Sequence, residues 1–93
     1  MNFHIEGRRW FQKTYGNTYN TVRIFQGNEQ IGFLPEAYGY GDHYLQRALD
    51  WLREKGHIDG TDERGNPIYG TRYVREDLHS TYSVTDVGRE RDL

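Results

Sequence analysis

A chain of 93 residues with 34% apolar and 15% aromatic content supports a single domain over 1–93 whose small core leans on rings. A net charge of -2 and a pI near 6.0 argue against a general binder of phosphate backbones, which needs many uncompensated cations. The absence of cysteine excludes disulfides, thiolate metal sites and thiol nucleophiles.

Residues 3–12 place Phe3, Ile5 and Phe11 at alternating positions, which predicts a strand, and Gly7 reads as a bulge that lets Trp10 turn inward. A β-branched and aromatic run predicts a second strand over 20–26, with 14–19 as the connecting loop and Phe11 opposite Val22. Gln26-Gly27-Asn28-Glu29 reads as a two-residue hairpin turn into a third strand over 29–34, ended by Pro35. That register sets Ile24 opposite Ile31 and Val22 opposite Phe33.

Asp42 as N-cap opens a helix over 43–55, with Leu45, Ala48, Leu49 and Leu52 on its buried stripe and Trp51 on the flank. Arg53 and Lys55 suit the negative end of the helix dipole, and Gly56 follows as C′. A polar loop is expected over 59–70, a short helical turn over 72–78, and a strand over 81–87 before a charged tail. The expected fold is α+β: a three- to four-stranded antiparallel sheet with one main helix packed across one face. No apolar run approaches the roughly 20 residues that span a bilayer, so a soluble, cytoplasmic protein is expected.

The eight tyrosines concentrate in Tyr15-Gly16-Asn17-Thr18-Tyr19 and Tyr38-Gly39-Tyr40-Gly41-Asp42. A ring beside glycine has little local backbone to pack on and is available to another molecule, as in paratopes and base-stacking surfaces. Tyr15, Asn17, Tyr19, Tyr38 and Tyr40 are therefore candidate binding residues, the competing reading being that some of these rings extend the core. Arg8 has the parity to share a strand face with Trp10, where a guanidinium and a ring could grip a phosphate or a base. The competing reading pairs Arg8 with Glu6 or Glu29.

No catalysis, metal or cofactor is expected. The histidines His4, His43, His57 and His79 lack metal-ligand spacing, and Ser80 and Ser83 lie in no nucleophile elbow. Residues 59–65 lack the ligand order of a calcium loop, and Tyr38–Asp42 matches no phosphate-binding fingerprint. The stretch from Leu49 to Arg89 has a winged-helix cadence, but residues 1–40 read as strands where such a domain needs helices.

The segments Arg9-Trp10-Phe11-Gln12-Lys13-Thr14-Tyr15-Gly16-Asn17-Thr18-Tyr19, Tyr38-Gly39-Tyr40-Gly41-Asp42, Tyr44-Leu45-Gln46 and Ser83-Val84-Thr85-Asp86-Val87-Gly88-Arg89 carry a resemblance to a family of small proteins encoded by tailed bacteriophages. The resemblance attaches no catalytic or metal-binding role to any residue. It implies an accessory protein that binds a host factor in the cytoplasm of the infected cell, with counter-defence of the CRISPR-inhibitor kind as the leading expectation. Capture of a nucleotide signal, with or without self-association into an oligomer, and binding of single-stranded nucleic acid or DNA stand as alternatives.

Overall fold

The structure is a computed structural model that describes residues 3–58 and 80–93. Its elements in chain order are β1 (Phe3–Gln12), β2 (Asn17–Gln26), β3 (Glu29–Tyr38), α1 (His43–Glu54) and β4 (Thr81–Val87). The strands form one sheet in the order β3-β2-β1-β4, with α1 packed across it. This is the α+β architecture expected from the sequence. The sheet is mixed, however: β4 runs parallel to β1. A strand reached by crossing from one edge of a sheet to the other through a helix arrives in the parallel sense. The loop expected over 59–70 and the turn expected over 72–78 lie outside the described residues.

The hairpin turn forms as expected, with Gly27 at φ 61° and Gln26 opposite Glu29. Its register then departs from the expected one. A shift between Ile24 and Phe25 sets Ile24 opposite Gly32 and Val22 opposite Leu34, so neither Ile31 nor Phe33 takes the predicted partner. Pro35 does not end β3, which continues to Tyr38. The proline falls where a second register shift, between Asn20 and Val22, relaxes the ladder on an edge strand. The turn between β1 and β2 is also tighter than expected, closing over 13–16 with Gly16 N–H donating to the Gln12 carbonyl at 2.8 Å. Tyr19 therefore lies inside β2, and Phe11 faces Thr18 rather than Val22.

Gly7 marks no bulge, since β1 keeps an unbroken register on both neighbours. Its role is clearance: a Cβ there would come within 2.6 Å of the Tyr44 ring carbon Cγ. Gly32 does the same for Trp51, where a Cβ would come within 2.7 Å of Cζ2. Two bulky rings, seven positions apart on α1, thus lie flat on two strand glycines. Between and beside them Leu45, Ala48, Leu49 and Leu52 meet Phe3, Ile5, Val22 and Ile24 to form the core. The helix ends as predicted. Gly56, at φ 79°, donates to the Arg53 carbonyl and His57 N–H to the Leu52 carbonyl, the paired bonds of a Schellman motif. Asp42 holds the N-cap position without a side-chain capping bond.

With no bulge in β1, Trp10 faces away from α1 rather than inward. This second face of the sheet is crossed by the last residues, which form a single 3-10 turn at Glu90–Asp92. Arg8 Nη1 donates to the Asp92 carbonyl at 3.2 Å and Arg23 Nη2 to a Leu93 oxygen at 3.4 Å. The turn brings Glu90 beside Glu36. Partial loss of hydration, then the negative charge of Glu90 and a hydrogen bond with it, hold the Glu36 carboxyl above the usual carboxylate range. A raised carboxyl pKa stabilises the fold at pH below its unfolded value, and this is lost as pH rises through the folded one. Glu36→Gln is therefore expected to raise the Tm modestly at neutral pH and to leave it unchanged once both forms are protonated. Equal shifts at both pH values would contradict this account.

Candidate functional site

One end of the sheet gathers the β1–β2 turn, the last residues of β3 and β4, and the start of α1. Across it runs a row of side chains in register: Val87, Trp10, Tyr19 and Tyr38. The Trp10 and Tyr19 rings stack at 5.8 Å between centroids, and Tyr38 meets Tyr19 edge-on at 6.0 Å. Cross-strand aromatic pairs of this kind stiffen a sheet beyond the area they bury.

Beyond the row, the connector from β3 to α1 bounds two hollows. The larger, 440 Å³, is lined by Tyr38, Gly39, Tyr40, Asp42 and His43. The smaller, 280 Å³, is lined by Arg9, Phe11, Thr18, Tyr40, Gly41, Asp86 and Val87. Tyr40 borders both, and its side chain is 73% exposed.

The connector that carries Tyr40 is pinned on either side of it. Gly39 N–H donates to the Thr18 carbonyl at 2.9 Å, and the Gly39 carbonyl accepts from Asn20 Nδ2 at 3.1 Å. Gly41 adopts φ 60°, and its carbonyl accepts from Arg9 Nη1 at 3.2 Å. Arg9 is itself held by Asp86, through Nε to Oδ1 at 2.8 Å and Nη2 to Oδ2 at 3.2 Å. The paired geometry fixes the guanidinium plane. Three strands thus hold the backbone around an exposed ring.

Asn20 is the hub beneath the connector. It is 1% exposed, with every polar atom of its amide engaged. Nδ2 also lies 3.1 Å from His43 Nδ1, and Oδ1 accepts from Arg47 Nη1 at 2.8 Å. Because Asn20 Nδ2 is the donor, His43 Nδ1 is the acceptor and the ring proton sits on Nε2. Arg47 continues the network to the Pro35 carbonyl at 2.6 Å. Burial lowers the Arg47 pKa from the ordinary guanidinium value, and the group stays charged at neutral pH. His43 sits so close to Gly39 that a Cβ at 39 would overlap the imidazole.

The seven residues expected to bind divide into three groups. Tyr38 and Tyr40 line the larger hollow. Trp10 and Tyr19 are half-buried in the aromatic row beside it, and Arg8 lies two positions along on the same face, bonded to Glu6 Oε1 at 3.2 Å. Tyr15 and Asn17 belong to the β1–β2 turn region, where Tyr15 is 75% exposed and Asn17 pairs with Gln12 at the start of β2. Arg8 therefore takes the Glu6 partner and stands apart from both hollows.

Sequence reasoning missed Arg9, Asp42, His43 and Asp86 as lining residues. Asp42 and His43, adjacent at the start of α1, both border the larger hollow. The parity that sets Arg8 beside Trp10 also sets Arg9 on the opposite face, a usable signal; its pairing with Asp86 depends on a parallel strand that no local pattern announces. Comparison with family models, curated proteins and solved structures finds no match for this chain, and the site is read from its own geometry.

Proposed function

We propose that this protein is a non-catalytic binding protein that uses its tyrosine-bearing end to hold a partner protein. The observation that carries the reading is Tyr40, an exposed ring on a backbone tied to β1 and β2. Such an anchor loses little freedom on binding, and tyrosine offers wide contact area with few rotatable bonds. Tyr15 and Tyr38, at 75% and 58% exposure, extend the same end. Together with the phage-type resemblance, this supports a host defence effector as the partner, engaged in the cytoplasm of an infected cell.

A nucleotide is the second reading. The larger hollow falls in the range of roughly 300–1,000 Å³ typical of small-molecule sites, with rings, a carboxylate and an imidazole at its border.

Native mass spectrometry of the protein purified from infected host cells distinguishes the two readings. A retained protein supports the first and a retained nucleotide the second. Tyr15→Ala with Tyr40→Ala is expected to weaken the retained complex by at least about tenfold, the loss typical of aromatic anchors. Because both rings are three-quarters exposed, the thermal transition should hardly move. Loss of that transition would show the rings to be structural and remove the basis of the proposal.

A further inference from the structure

The two outer strands of the sheet differ in how their free edges are protected. β3 carries Glu29, Pro35 and Glu36 and shifts register twice, features that discourage further strand pairing. β4 has none of these. Its sequence Thr81-Tyr82-Ser83-Val84-Thr85-Asp86-Val87 holds neither proline nor lysine and keeps an unbroken register on β1. Its one charge, Asp86, is held by Arg9. Residues 81–86 are all exposed, and among the described residues no strand pairs with the outer edge of β4.

The geometry points to a second copy of this chain as the occupant of that edge, the two β4 strands pairing antiparallel about a two-fold axis at Val84. Residues directly opposite each other in such a pair share a face, so full overlap of 81–87 fixes every partner. Val84 meets Val84, Tyr82 meets Asp86, Ser83 meets Thr85 and Thr81 meets Val87. An apolar pair lies at the axis, hydroxyls meet a carboxylate or each other beside it, and no like charges face across the seam. This self-complementarity selects a second copy over an unrelated strand. It also reaches the candidate site: Tyr82 of the second copy stands opposite Asp86, at the rim of the smaller hollow, and adds a ring to it. The inference does not depend on which partner the tyrosine end holds.

Sedimentation equilibrium of the full chain from micromolar to submillimolar concentration is expected to show a monomer–dimer equilibrium. Val84→Lys sets two lysines across the axis, while its neighbour in the same chain is Gly7, so no like charge is added within the sheet. The substitution is expected to weaken association by about fivefold, the upper range for like charges on paired strands. Val84→Glu should do the same, and an equimolar mixture of the two variants should recover a heterodimer. Hydrogen exchange of the unsubstituted protein gives a check independent of any variant: protection over 81–87 should rise with concentration. A monomer throughout, a dimer indifferent to both substitutions, or protection that ignores concentration would each overturn the inference.

Discussion

Replacing Asn20 with leucine is expected to cost about 3 kcal/mol of stability, because the apolar side chain leaves buried partners without their hydrogen bonds. The Asn20 amide serves the Gly39 carbonyl, His43 Nδ1 and the charged Arg47 at once. Leucine is of similar size, so the loss is one of pairing rather than volume. The same substitution removes one of the ties that hold the connector, and amide exchange at Gly39 and Tyr40 should quicken. Urea unfolding and hydrogen exchange measure the two effects. A loss below about 1 kcal/mol, the worth of one ordinary hydrogen bond, with unchanged exchange would show that the hub is dispensable.

Leu49→Ala is expected to cost about 2–5 kcal/mol, from lost apolar transfer and the cavity left between helix and sheet. Leu49 is fully buried in a core that, among the described residues, has nine buried members, so few neighbours can move to refill the space. Domains of this size are stable by only about 5–10 kcal/mol, and the variant should melt far below the parent. The contrast with Tyr15→Ala and Tyr40→Ala is informative: large residues are removed in both cases, yet only the leucine should unfold the protein. A small Tm change in Leu49→Ala would mean that α1 is not the element that seals the sheet.

What the sequence made legible are the features written in adjacent residues. Gly27 announces the hairpin, the spacing of Leu45, Ala48, Leu49 and Leu52 announces the helix face, and Gly56 its end. The exposure of Tyr15, Tyr38 and Tyr40 follows from the same local logic of rings beside glycine. What escaped depends on partners far away. The register slip at Ile24 comes from one extra residue in β3, and alternation alone gives no sign of it. Tyr44 falls outside the helix stripe legible in the spacing, because its receiving position is a glycine 37 places earlier. The smaller hollow draws on β1, β2, β4 and the connector, so its members could be joined only after the parallel strand was placed.

That parallel strand has a kinetic consequence. His4 bonds Thr81 at 2.7 Å across 77 positions of chain, whereas β1, β2 and β3 pair through short turns. Local ladders close early, while a contact of such long sequence separation must await the loss of much more chain freedom. During synthesis the first strand leaves the ribosome with one flank bare and keeps it bare until the eighties have emerged. Over that interval an unmatched row of amides and carbonyls is open to neighbouring chains, so aggregation on overexpression should track delayed arrival of 81–87 more than weakness of the core.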